Sequence, residues 1–293
     1  MFSFLRSTLL VAAFAGSAMA ASNASEAVTY DNMASTILEF QGANLVPQVI
    51  PDELMSLAGS LQVKFGNATA ELGSIVPADQ LTVAPTFIVN YTNAVSQQDI
   101  FWNELFTVVA FDAAYPGVET TNDTVWRQYL CNNMTALDGA LHNMTGPVTS
   151  WKAPSIPQGS GPHRMVQLVF AQGPDFAPVA NYTNTTGQAA ANMSLTDYVK
   201  RSNLGKIVAA NYFIVQNGTD VNPDIKVQAT QAVPAESVQA KATSISASIL
   251  ADATRGARAF KTSTAAPFTL PSSAIALVTV SAVSVAAAFA LLV

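Results

Sequence analysis

Six stretches of strand length, rich in β-branched and aromatic residues, run through this chain with no helical pattern alternating between them: Ser60–Phe65, Pro85–Tyr91, Leu105–Phe111, Trp126–Met134, Met165–Phe170 and Ala209–Gln216. Pro, Gly, Asn and Asp separate them, as turns require. Parallel strands need a crossover of a dozen or more residues, usually helical, so the missing helices exclude a doubly wound sheet. The pattern predicts a mostly β fold, an antiparallel β-sandwich with a few peripheral helices. Cys131 is the only cysteine. No internal disulfide can therefore staple the sheet, and its apolar core must hold it. Cys131 itself, inside an apolar and aromatic stretch, reads as a buried small hydrophobe.

Two helices are legible. Met33, Ile37 and Phe40 fall at helical spacing, with Pro47 and Pro51 beyond to end the run. Ser194 as cap, Asp197 at the third position and Gly205 after the end frame Leu195–Asn203. Val238, Ala242, Ile245 and Ile249 keep a weak helical spacing that allows a further docked helix near 235–252.

Only 11% of the 293 residues are charged, against 50% hydrophobic, whereas ordinary soluble chains carry roughly 25% charged residues. The two ends account for much of the difference. Met1 to Arg6 is a short basic start, Leu9–Ala15 an apolar run and Ala18-Met-Ala20 a small-x-small site; together they predict a secretory signal peptide over 1–20, preferred to an uncleaved anchor. From Ala274 to Val293 the chain is uncharged and apolar, behind the small residues Ser263–Ala266 and a polar spacer. That order predicts a glycosylphosphatidylinositol anchor signal, preferred to a retained tail helix, with Ser263 or Gly256 as the attachment residue. The expected organisation is a signal over 1–20, a β domain over 21–223, an Ala/Ser/Thr-rich stalk over 224–265 and a removed anchor signal over 266–293. The expected location is the extracellular face of the plasma membrane or the cell wall. Ten Asn-x-Ser/Thr sequons agree with secretion: Asn23, Asn67, Asn90, Asn122, Asn133, Asn143, Asn181, Asn184, Asn192 and Asn217.

The formal net charge of −6 argues against nucleic acid as a partner, since phosphate-backbone binding needs clustered Lys and Arg. There is no nucleophile elbow, Walker loop, dinucleotide fingerprint or His-Glu-x-x-His helix. Two histidines and one cysteine do not furnish an ordinary zinc site. The reading is non-enzymatic, with no cofactor and no metal. Two segments exceed what packing needs. One is Phe106–Gly117, an apolar strand that ends in Asp112 and then turns; the other is Gly159–Gln172, a Gly/Pro turn that delivers His163 and Arg164 onto the next strand. Read singly, Asp112 is a turn cap and His163 a satisfied surface residue. Strand alternation puts His163 and Met165 on one face and Arg164 and Val166 on the other.

Taken together, these segments resemble the phosphatidylethanolamine-binding protein family. The matching pieces, in family order, are Val49-Ile-Pro-Asp-x-Leu54 with the strand Leu61-x-Val-x-Phe65, then Pro85, Phe106–Pro116 and Trp126. Gly161-Pro-His-Arg164 follows, then Asn203-Leu-Gly-Lys-x-Val-Ala-Ala-Asn-Tyr-Phe213. The resemblance spans roughly residues 37 to 217 and is strongest to fungal members related to carboxypeptidase Y inhibitors. It implies an antiparallel β-sandwich with a small anion pocket for phosphate-bearing head groups. It also implies that Asp112 is the pocket's leading Asp, Pro116 its closing Pro, Gly161 the turn glycine and His163 the pocket histidine.

The chain departs from the family pattern at Ala113 and Ala114, at Arg127 and Gln128 where two histidines are usual, and at Met165 where a tyrosine is usual. Gln128 can still donate to a phosphate; Met165 cannot. The expected partner is a phospholipid head group or other small anion. The alternatives are a serine carboxypeptidase, bound as by an inhibitor of the same family, or a wall mannoprotein role with a degenerate pocket.

Overall fold

The computed structural model describes residues 29–91, 104–113, 124–158, 161–182, 192–217 and 234–247. Among the described residues nine strands form one sheet: β1 (Gly59–Phe65), β2 (Ala68–Ala70), β3 (Thr86–Tyr91), β4 (Phe106–Asp112), β5 (Thr124–Leu137), β6 (Ala140–Asn143), β7 (His163–Gln172), β8 (Asn192–Ser194) and β9 (Leu204–Val215). Their order is β2-β1-β3-β6-β5-β4-β7-β9, with β8 also on β5, and every pairing between these strands is antiparallel. The six expected strands are all present. Three short ones, β2, β6 and β8, have no sequence signal of their own because three or four residues are too few for a period to show.

The sandwich comes from one sheet folded over itself rather than from two sheets. Its two ends meet, since Ala58 N–H donates to Val208 O at 2.8 Å and Val76 N–H to Ile214 O at 2.8 Å. One core fills the interior, including Val63, Phe65, Phe87, Cys131, Val169 and Phe213. A second covers the outer face of β4, β7 and β9 and includes Phe40, Leu45, Val109, Phe111, Leu168 and Tyr198. The burial patterns follow. β1 packs on one face and alternates, with Leu61, Val63 and Phe65 in and Ser60, Gln62 and Lys64 half out; β4 is buried at all seven positions because both faces are covered.

The helices make that second layer. α1 (Tyr30–Gly42) starts at a reciprocal cap in which Thr29 Oγ1 accepts from Asn32 N–H and Asn32 Oδ1 accepts from Thr29 N–H. It buries Met33, Ile37 and Phe40, and ends at Gly42, before the two prolines. α2 (Leu195–Ser202) is capped by Ser194, whose Oγ accepts from Asp197 N–H at 3.2 Å. Its end differs from expectation. Asn203, not Gly205, takes the left-handed C-terminal position, with φ 53°. An Asn tolerates that conformation locally, so the chain turns two residues earlier and Gly205 becomes part of β9. There a Cβ would stand 3.0 Å from Ala171 O. A third helix, α3, covers 235–247, with Ala242 buried and Ile245 against the outer core.

Candidate ligand site at the strand ends

Asp112 closes β4 and His163 opens β7. Because Phe106, Val108 and Ala110 point inward from β4, and Met165 and Val169 inward from β7, alternation aims both Asp112 and His163 at the mouth of the interior. They meet there, with His163 Nδ1 2.7 Å from Asp112 Oδ2 and side chains only 13% and 10% exposed. A contact this short and sheltered is charge-assisted and fixes the ring. The bond through Nδ1 to Asp112 sets the tautomer and the plane of the imidazole at the mouth. Trp126 stands directly opposite Asp112 in the β4–β5 register and is 48% exposed, so it lends an apolar wall to the same mouth.

Backbone geometry delivers these groups. Gly161 adopts φ 84°, a left-handed conformation that a side chain would strain, and the turn it forms sets His163 at the strand start. Arg164, one residue on, faces the other way. It donates from Nη1 to Ala43 O (2.6 Å) and Asn44 O (3.1 Å), and from Nη2 to Ala113 O (2.9 Å). Ala113 N–H returns a bond to Arg164 O at 2.9 Å. The residue after Asp112 is thereby tied to the residue after His163, while the same guanidinium pins the end of α1. Burial pulls the Arg164 guanidinium down to about 10 although the Asp112 charge opposes this, which still leaves it charged at neutral pH.

The other expected positions fall unevenly. Gln128 is half-buried at the β4–β5 bulge between Ala110 and Phe111, and its side chain makes no hydrogen bond among the described residues. Met165 belongs to the inner core. Pro116 lies outside the described residues, as do Ser263, Gly256, the signal segment and the apolar tail. Asn67, Asn143 and Asn217 are exposed, and Asn90 and Asn133 half-buried; Asn23, Asn122 and Asn184, and the side chains of Asn181 and Asn192, lie outside the described residues. Among the described residues no three His, Cys, Asp or Glu side chains gather as a metal site, and no helix is long and apolar enough to cross a membrane. A cleft of about 290 Å³ between α1, β1 and β9, with Ser35, Gln62 and Asn211 in its lining, shares no residue with this mouth.

No protein-family model matches the chain. Over 217 residues it is 24% identical to the carboxypeptidase Y inhibitor of Saccharomyces cerevisiae, covering 62% of this chain and 95% of the inhibitor. It is a phosphatidylethanolamine-binding protein-like, carboxypeptidase Y inhibitor-like chain. Among solved structures, the carboxypeptidase Y inhibitor complexed with its cognate proteinase aligns at TM-score 0.48 and 23% identity, over 63% of this chain and 96% of that one. The phosphatidylethanolamine-binding protein from Plasmodium vivax aligns at TM-score 0.46 and 16% identity, over 62% and 97%.

Arg164 sits beside His163 in sequence yet acts from behind the sheet, as strand alternation foretells. One residue of the site region carries no such warning. Arg127, set in the apolar run Trp126–Met134, is buried. The only sequence hint is a cation among strand residues that are otherwise apolar.

Proposed function

We propose that the chain is a non-enzymatic binding protein of the outer cell surface, which takes a small zwitterionic, phosphate-bearing head group at the Asp112–His163 mouth. The observation that carries this reading is the 2.7 Å contact between His163 and Asp112, with Trp126 beside it. His163 Nε2 donates to a phosphate oxygen, Asp112 accepts from an ammonium group, and Trp126 shields the carbons between. Calorimetric titration with phosphoethanolamine tests it. His163→Ala removes one charge-assisted hydrogen bond, worth about 1.5–3 kcal/mol, or roughly tenfold or more in affinity. His142→Ala, at an exposed residue of β6, leaves affinity unchanged. No heat from the wild type, or equal affinity in the His163 variant, rules the site out.

A second reading, inhibition of a serine carboxypeptidase, draws on the likeness to the carboxypeptidase Y inhibitor over nearly its whole length. Inhibition would use a protein surface rather than the small mouth, so it should survive His163→Ala. Display at the surface rests on the uncharged, apolar segment Ala274–Val293. Release from cells by a phosphatidylinositol-specific phospholipase is the expected result, and recovery of a 274–293 peptide from the mature protein would contradict it.

A further inference from the structure

On β1 and β3 the inner face is apolar, with Leu61, Val63, Phe87 and Val89 buried, while Ser60, Gln62 and Asn90 turn half-exposed to the other side. Ser60 stands directly opposite Asn90 in the register. These three side chains, with Thr69 of β2 and Ser35 of α1, line the cleft of about 290 Å³ between α1, β1 and β9. Asn211 closes it where the two ends of the sheet meet, donating from Nδ2 to Ala70 O at 2.8 Å.

The chemistry of the lining narrows what can sit there. Ser35, Ser60, Gln62 and Thr69 make no side-chain hydrogen bond among the described residues. Glu71 is the lining's only charged residue, and no aromatic ring belongs to it. Hydroxyls and an amide both donate and accept, so the match is a neutral, polyhydroxylated ligand. With no ring to stack on and no cation to pair with, a free sugar gains little to offset the freedom lost on association. A tethered sugar has already given up most of that freedom. Asn90 supplies the tether, because Asn90-Tyr-Thr92 is a sequon. The volume, close to the lower end of the roughly 300–1,000 Å³ of small-molecule sites, suits one sugar ring rather than a chain.

We propose that Asn90 carries an N-linked glycan whose first sugar, an N-acetylhexosamine, lies in this cleft and braces α1 against β1. Transfer from a lipid-pyrophosphate oligosaccharide joins Asn90 Nδ2 to the anomeric carbon; the bond from that carbon to the pyrophosphate oxygen breaks, the lipid pyrophosphate leaves with the electron pair, and Nδ2 loses one proton. Asn90 keeps an amide N–H and its carbonyl for other bonds. Transfer acts on the chain before it folds, so the half-buried position in β3 is no barrier. This seat depends on the secretory part of the reading above and not on the Asp112–His163 mouth.

For the full chain made in eukaryotic cells, glycopeptide mass spectrometry reads occupancy at each sequon and thermal unfolding reads the seat. Thr92→Val removes the sequon while keeping Asn90, and should lower Tm by roughly 2–4 °C, the loss of about one net hydrogen bond in a domain of this size. Thr145→Val, which removes the sequon of the exposed Asn143, should leave Tm unchanged. Gln62→Ala and Ser35→Ala should each lower Tm more in the glycosylated chain than in the Thr92→Val background, a coupling that a sugar in contact with both walls produces. Ser35→Ala suits a helix and decides the matter if Gln62→Ala does not fold. A bare Asn90 beside other occupied sequons overturns the seat alone; no glycan at any sequon overturns it together with the secretory reading. An occupied Asn90 with the same Tm as Thr92→Val, or wall variants with equal effects in both backgrounds, would put the sugar in solvent and overturn the seat too.

Discussion

Arg164 joins three pieces of chain that sequence keeps far apart: the end of α1, the residue after Asp112, and the start of β7. It does so through three backbone carbonyls, at Ala43, Asn44 and Ala113, and no other side chain offers five donors in a fixed fork. Arg164→Ala strands those acceptors. A buried polar group left without a partner costs about 1–3 kcal/mol, and water entering the vacated space offsets part of that. The expected loss in urea unfolding is about 2–4 kcal/mol. Arg164→Lys should recover only part of it, since an ammonium can follow one carbonyl direction but not the fork. Head-group affinity should fall in both variants while His163 remains in place, because Ala113 carries Asp112.

At the scale of elements, what a strand looks like in sequence depends on how many of its faces are covered. β1 alternates and was legible as a half-buried strand; β4 and β7 are buried almost throughout because α1, α2 and the residues between α1 and β1 close their outer faces. Phe40 of α1 is the clearest measure of that layer, being fully buried with its ring 5.2 Å from Tyr212, edge to face. Phe40→Ala should cost about 3–5 kcal/mol, the usual range for a buried aromatic cut back to a methyl. Lys64→Ala, on the half-exposed face of β1, should stay within about 0.5 kcal/mol. Urea midpoints of the two variants compare the covered and uncovered faces directly.

For the molecule as a whole, the absence of any possible internal disulfide shifts the burden to the two cores and to closure of the sheet through the Ala58–Val208 and Val76–Ile214 contacts. Cys131 lies in the inner core with no exposed surface, and burial raises its thiol above the ordinary range. It is the thiolate that reacts. A thiol reagent at pH 8 should therefore leave the native protein unlabelled over hours, yet modify one thiol per chain once denaturant is added. Labelling of the folded protein at the rate of an exposed cysteine would mean that the inner core opens locally, without global unfolding.

The local chemistry of the residues was enough for six of the nine strands among the described residues, both well-capped helices and the opposite facing of His163 and Arg164, because period, caps and alternation are properties of neighbouring residues. The cap at Asn203 was missed since the short sequence rule favours glycine, and the backbone took the left-handed turn where tertiary packing placed it. What no local pattern contains is partnership across the sheet. His163 and Asp112 lie fifty-one positions apart, and the pairing of β4 with β7 alone brings them to 2.7 Å. The same holds for Arg127. Its neighbours in sequence say that it lies in a strand; only the layer of α2 and Tyr182 over the outer face decides that its charge is enclosed, because burial depends on what the rest of the chain packs against that position.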